Sequence, residues 1–329
     1  MDATFARRRI LEPARLRALA QRSDLRGAAQ ALSHFGAILF TGWLLWETWG
    51  TWIAIPVFMV HGTLLNFLYA GQHELSHGTV FATKWLNEWL GRAIGFIQIF
   101  PRDFDQIQHF AHHRHTSDWE RDGELAREPY RLTSYLLWLS GLSYWPTRIA
   151  RILRFARGEV IEPYIRVDEE QRVIREGRWH LGLYLALIAV SLAFQSWALV
   201  ILWIAPMFAM KWTHQLQNTI EHLGLEHSND ILSNTRSTRT SALMRWMCWQ
   251  MQYHTAHHMF PSVPFWKLRD LNADIEKGIG GAPHRMGYIE FQIEVIRKLA
   301  GACSEADFPM NEVWIAPRAG GGFARLPAI

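Results

Sequence analysis

Two long stretches without a lysine or arginine constrain this 329-residue chain more than any other feature. One runs from Ala31 to Gly71, the other from Trp179 to Met210. Each is too long for one bilayer-crossing helix of roughly 20 apolar residues and suits two such helices joined by a tight turn. The turns are expected near Glu47–Thr51 and near Gln195–Trp197. The expected fold class is therefore all-α integral membrane, with four transmembrane helices in two hairpins beneath a helical cap. The competing reading is a pair of long buried helices in a soluble protein. Tryptophans near the proposed ends and the distribution of charge argue against it.

All 34 Lys and Arg lie outside the two stretches: seven in residues 1–29, fifteen in 72–178 and twelve from Lys211 onward. Two hairpins return the chain to its starting side, so every basic segment shares one face. The positive-inside rule makes that face cytoplasmic, and with it both termini; the membrane expected is a bacterial inner membrane. The net charge of +4 then reflects topology and anionic headgroups rather than a nucleic-acid partner. The basic N-terminus lacks a short apolar core and small-residue cleavage site, so it does not read as a cleavable signal peptide. Cys248 and Cys303 are the two cysteines, with no CxxC pair, which argues against a disulfide framework, a zinc ribbon or a built-in iron–sulfur centre.

The chain reads as one domain over 1–329. It comprises a first hairpin at about 34–71, a cytoplasmic segment 72–178, a second hairpin at 179–212 and a cytoplasmic segment 213–329. A basic amphipathic helix is expected within 1–29, an interfacial or re-entrant helix at 85–100, an interfacial helix at 132–145 ending at Pro146, and a charged loop at 117–130. Residues 148–178 read as a connector, and the glycine-rich C-terminal tail as poorly ordered.

Three histidine clusters carry the chemistry: His73 and His77, then His109, His112 and His113, then His254, His257 and His258. Residues three and four apart share a helix face, so each cluster can aim its imidazoles one way. His222 makes a ninth, shortly after the second apolar stretch. Nine imidazoles exceed one ion's coordination and fit two ions with four or five each; imidazole alone does not choose the element. Single histidines such as His34, His61, His180 and His284 read instead as satisfied polar groups. Glu74, Glu221, Asp105 and Asp118 are candidate acceptors for imidazole N–H groups.

The motifs HELSH, HFAHH and HTAHH, set after apolar hairpins, resemble the three histidine boxes of the membrane-bound fatty acid desaturase and hydroxylase superfamily. The likeness covers about residues 35–270. It implies a non-haem di-iron centre using O2, held by His73, His77, His109, His112, His113, His222, His254, His257 and His258. Asn218, one turn before His222, matches an asparagine that holds a metal through water in acyl desaturases. No haem motif of a fused cytochrome b5 is present, so a separate electron donor is implied, of ferredoxin, rubredoxin or cytochrome b5 type with its reductase. The substrate implied is a lipid or other apolar molecule. The run 218–225, NTIEHLGL, is similar to a box of alkane hydroxylases, whereas 257–264, HHMFPSVP, looks like bacterial desaturases and carotenoid ketolases. Desaturation of an acyl chain is the leading expectation. Hydroxylation or ketolation of an alkane, carotenoid or small metabolite is the alternative, and a non-catalytic metal-binding or transport protein the third reading. A transporter should hold its ligands near the bilayer midplane, whereas these clusters flank the apolar stretches.

Overall fold

A computed structural model of the protein describes residues 10–228, 230–281, 285–302 and 304–307. The chain is mostly helical. The short helix α1 (Pro13–Leu19) is followed by Ser23, whose Oγ accepts the amide of Arg26 and starts α2 (Asp24–Thr48). The expected continuous amphipathic helix over 1–29 is thus divided within 10–29, because a serine N-cap restarts the helix; residues 1–9 lie outside the described residues.

Helix α2 packs against α3 (Ala54–Ser76) after a short turn. Both are long and apolar enough to cross a membrane. Their polarity is inside out. Leu32, Leu39, Trp43 and Ile55 are exposed, while His34, His61 and Asn66 are buried. His34 Nε2 lies 3.0 Å from the Leu64 carbonyl, and its Nδ1 accepts the Trp249 indole N–H. His61 joins Thr41 Oγ1 to the Leu202 carbonyl. Apolar groups outward and satisfied polar groups inward is the arrangement a lipid solvent selects.

Helices α4 (Lys84–Ile97) and α5 (Arg102–His115) follow, and 117–130 is a run of turns, as expected. The single helix expected over 132–145 is instead two, α6 (Leu132–Leu139) and α7 (Tyr144–Arg157). Gly141 breaks the chain with φ +78°. Pro146 sits in the first turn of α7, where a missing N–H leaves no intrahelical bond unmade. The expected connector is also largely helical: α8 (Val167–Ala193) begins there and continues into the second apolar stretch. The return path is a π-helical turn, Val200–Ile204, then α9 (Ala205–Ala209) and α10 (Lys211–Ile220). Leu185, Ile188, Leu192, Phe194 and Trp197 stand exposed around this turn.

The remainder is α11 (Ile231–Asn234), β1 (Ser237–Arg239), α12 (Ala242–Met247), α13 (His254–Met259), α14 (Leu268–Ile279), β2 (Arg285–Gly287) and α15 (Tyr288–Ala300). The parallel β1–β2 ladder, with Thr238 opposite Met286, departs from the all-helical expectation. The C-terminal tail expected to be poorly ordered lies outside the described residues.

Helix α3 is the centre of this packing, touching α2, α4, α5, α9 and α10. At Gly62 a Cβ would lie 2.3 Å from the Pro206 carbonyl oxygen, so the missing side chain sets the approach of α3 to α9. Gly62→Leu should therefore lower stability by on the order of 3 kcal/mol, as overpacking does, read as a fall in the melting temperature of the detergent-solubilised protein. An unchanged melting temperature would show that the two helices can move apart freely.

Candidate metal centre

Four helix ends converge on one buried point. His73 lies in the last turn of α3 and His77 caps it. His109, His112 and His113 occupy the last turns of α5, and His254, His257 and His258 form one face of α13. His222 follows α10. The chain reaches α13 through Trp249 and Gln250, consecutive left-handed residues with φ 49° and 63°. Two such residues reverse the chain sharply, at a conformational cost that the buried surroundings must offset.

The nine imidazoles form two groups: His73, His77, His109, His113 and His257 in one, His112, His222, His254 and His258 in the other. Within each group every donor nitrogen lies within 4.8 Å of the rest. His73 Nε2 is 2.9 Å from His257 Nε2, and His109 Nε2 is 2.7 Å from that of His77 and 3.0 Å from that of His113. In the second group His222 and His254 stand 2.8 Å apart, His112 and His258 3.3 Å. Donors about 3 Å apart are what neighbouring ligands show around an ion with bonds of about 2.0–2.1 Å. The residues fit two metal ions.

The opposite edges of these rings are anchored. His109 Nδ1 lies 2.8 Å from Glu124 Oε1, and His112 Nδ1 2.9 Å from both oxygens of Asp122. His222 Nδ1 is 3.0 Å from the Asn234 carbonyl. His257 Nδ1 lies 3.0 Å from Glu74, and His254 Nδ1 3.4 Å from Glu221. An Nδ1–H given to an acceptor leaves the Nε2 lone pair for a metal.

Two expected acceptors, Glu74 and Glu221, are in place and two are not. Asp105 accepts from Ser76 Oγ, and Asp118 pairs with Arg121 on the surface. Asp122 and Glu124, not anticipated from the sequence, take those roles. The only hint available was their acidity within a charged loop after the second cluster. Gly123 between them permits the approach, since a Cβ there would meet the Gln108 carbonyl oxygen at 2.6 Å. Asp122 also accepts the amides of Ser117, Glu124 and Leu125, which folds the loop over the centre.

Other groups hold the supporting elements. Glu176 of α8 accepts the amides of Asp103 and Phe104 at 2.8 and 3.4 Å, satisfying free N–H groups at the start of α5. Buried Arg236 donates to the carbonyls of Ile220 and Leu223, on either side of His222. His227 Nδ1 contacts the Ser117 carbonyl at 2.7 Å. His34, His61 and His180 each contact a backbone carbonyl away from the centre, as satisfied polar groups do; His284 lies outside the described residues. A cavity of about 480 Å³ opens onto His73, His112, His222 and His254. Asn218 lines it, beside His222.

Burial governs the protonation of these rings. It lowers the pKa of His109, His113, His254 and His258 well below the ordinary value and that of His222 and His257 to about 3. At His112 burial acts the same way, but Asp122 and Glu124 outweigh it and raise the pKa to about 9. Those carboxylates favour a cation at this point, proton or metal alike.

A helical chain with an inverted surface and a nine-imidazole centre defines a class of metal-dependent membrane proteins. The chain belongs to the fatty acid desaturase family, whose model matches residues 47–291. It is 24% identical over 252 residues to the sn-1 oleoyl-lipid 12-desaturase of Arthrospira platensis, covering 70% of each chain. It is 19% identical over 290 residues to the enzyme of that name from Picosynechococcus sp., covering 80% of each. To the sn-1 acyl-lipid omega-3 desaturase (ferredoxin) of Synechocystis sp. it is 24% identical over 254 residues, covering 70% of this chain and 69% of that one. The protein is a membrane-associated oxidoreductase of this family.

Two predictions follow from the anchors and from burial. Asp122→Asn should weaken metal retention by roughly 10–100-fold, measured as metal content after dialysis against a graded chelator, with Asp118→Asn as the unaffected control. Unfolded imidazoles titrate near 6.5, whereas His222 and His257 titrate at about 3 in the fold. Between those values the unfolded state binds more protons, so the metal-free protein should lose stability as pH falls from about 6.5 toward 3. His112 contributes oppositely, its share present below about 6.5 and lost as pH rises through 9. Chemical denaturation of chelator-treated protein across this range tests the sign; a midpoint that rises toward pH 4 would contradict it.

Proposed function

We propose that this protein is an O2-dependent di-iron desaturase that introduces a carbon–carbon double bond into a lipid or fatty acyl chain. The observation that carries the reading is the convergence of nine imidazoles, seven buried and two half-buried, in groups of five and four beside a cavity. One iron would be held by His73, His77, His109, His113 and His257, the other by His112, His222, His254 and His258. Asn218 would join the second through water. When bound, the two irons supply the redox chemistry with O2 that breaks an unactivated C–H bond, a step beyond any side chain.

The chain's own residues do the rest. Glu124, Asp122, Glu74, Glu221 and the Asn234 carbonyl orient the rings. Burial keeps most rings neutral and limits water at the centre. The cavity wall fixes which carbon faces the metals, where a displacement of about 1 Å changes rates greatly. Electrons come from a separate carrier, and the ferredoxin named for the Synechocystis relative makes that type the first choice over rubredoxin or cytochrome b5.

The proposed setting is a bacterial inner membrane, crossed four times, with termini and centre cytoplasmic. Support comes from the absence of Lys and Arg in 31–71 and 179–210 and from the exposed apolar side chains of both stretches. Cysteines introduced at the hairpin turns near Gly50 and Gln195 should then react with an impermeant thiol reagent only from the periplasmic side; labelling from the cytoplasmic side would refute the topology.

The function is tested by expression in a heterologous host with a reductase and ferredoxin, followed by lipid and metabolite mass spectrometry. Loss of two hydrogens from a product marks desaturation; gain of one oxygen marks hydroxylation. Activity should fall at least about 10³-fold in His112→Ala and His257→Ala, on the scale of losing a catalytic metal, while both variants still reach the membrane. Two bound irons with no O2 consumption on any extract would favour a metal-binding protein instead.

A further inference from the structure

The cavity that opens onto the histidines has a second, cationic wall. Lys211 and Arg148 both line it. Lys211 is only 1% exposed, and its Nζ lies 3.9 Å from the centre of the Tyr144 ring. The Arg148 guanidinium sits over that ring at 4.5 Å and over Phe100 at 3.3 Å. Two basic side chains therefore share one aromatic ring. Among the described residues neither pairs with a carboxylate: Glu124 and Asp105, which act on Arg148 through space, spend oxygens on His109 and Ser76. Lys211 Nζ has a neutral partner, His214 Nδ1, at 3.2 Å. Arg148 Nη1 is buried with no hydrogen-bond partner.

Such a pair is unfavourable as it stands. Cation–π contact offsets only part of the desolvation of an ammonium, and the unpaired guanidinium N–H adds to the deficit. What balances both is an anion entering from the cavity, accepting from Lys211 and from the free Arg148 N–H.

We propose that Lys211 and Arg148, with His214 beside them, bind a compact anionic group, a carboxylate, carried by the substrate itself. This rests on the desaturase reading above in taking the cavity's occupant to be the substrate. The substrate class narrows accordingly, to a free acid rather than a neutral lipid ester. Position narrows it further. The Tyr69 ring is 5.8 Å from Lys211 Nζ and 6.4 Å from the His73 ring centre. One tyrosine thus stands between the cations and the metal ligands, so the carbon oxidised lies a short way from the carboxylate, not far along a chain.

Equilibrium binding to the full-length, metal-loaded protein in detergent tests this without turnover, so it stands or falls separately from the enzymatic reading. The probes are decanoate, decanamide and inorganic sulfate. Decanoate should bind at least about tenfold tighter than decanamide, as charge-assisted bonds to two cations require. Lys211→Met should erase that preference with decanamide binding unchanged, and Lys211→Arg should retain it. Arg148→Gln, at a half-buried position, gives the same comparison if Lys211→Met does not fold. Equal binding of decanoate and decanamide, or equal loss of both in the variants, would overturn the proposal. Sulfate binding as tightly as decanoate would overturn it too, by marking a site for free anions.

Discussion

The fold depends on bringing nine imidazoles together, seven of them buried, with their Nε2 edges turned inward. A buried neutral imidazole needs a partner for its N–H, and a ring that gives its Nδ1–H to an acceptor has a lone pair left on Nε2. Three rings find that acceptor in Glu124, Asp122 and the Asn234 carbonyl, while Glu74 and Glu221 lie 3.0 and 3.4 Å from the Nδ1 atoms of His257 and His254 without hydrogen-bond geometry. These come from a loop, two helices and a short turn far apart in sequence. Converging lone pairs repel one another, so the centre is stabilised by a cation and not by its own contacts. Metal binding and completion of this core are therefore one event in energetic terms.

Helix α3 transmits that requirement to the membrane part. Its first half presents apolar groups outward, while its last turns are buried and carry His73 and Glu74. Gly62 lets it approach α9, and Asn66 donates to the Gly62 and Met207 carbonyls at 2.8 and 2.9 Å. Such cross-helix polar bonds in an apolar surround fix rotation about the helix axis. The rotation in turn decides where His73 and His77 point. The ion pairs of Asp103 with Arg92 and Arg172 and the Glu176 cap do the same for α5.

How much of this was legible depended on whether a feature has a period. The histidines at spacings of three and four declare a shared helix face, and all nine converge. The long run without Lys or Arg at 31–71 declares its two apolar helices just as openly. Anchors have no period. Asp122 and Glu124 resemble any acidic loop residues, and only the folding of that loop over α5 distinguishes them from Asp118. Proline was misread at Pro146 because its effect depends on register: it ends a helix from within but is neutral in a first turn. The return path of the second stretch, with its π-helical turn before Pro206, and the three-residue β-ladder are set by packing that no local pattern reports. Lys211 and Arg148 meet only through tertiary structure.

The last of these separations bears on specificity. On the proposed reading the chemistry at the histidine centre is generic, since the metals would supply it. Whether hydrogen loss or oxygen insertion follows depends on which second bond the substrate presents to that centre, and presentation depends on the cavity. An apolar wall alone constrains a flexible chain weakly, because a shift by one methylene changes burial by only about 0.8 kcal/mol. A charged group held by two cations at one end removes that freedom. In this chain the basic side chains stand on α7 and α10, and α10 itself carries Asn218 and leads directly into His222. On the proposed reading, Lys211 of the anion site and the ligands Asn218 and His222 share one continuous stretch of backbone, so that stretch, rather than the pliant cavity wall, sets the distance from anion to metal.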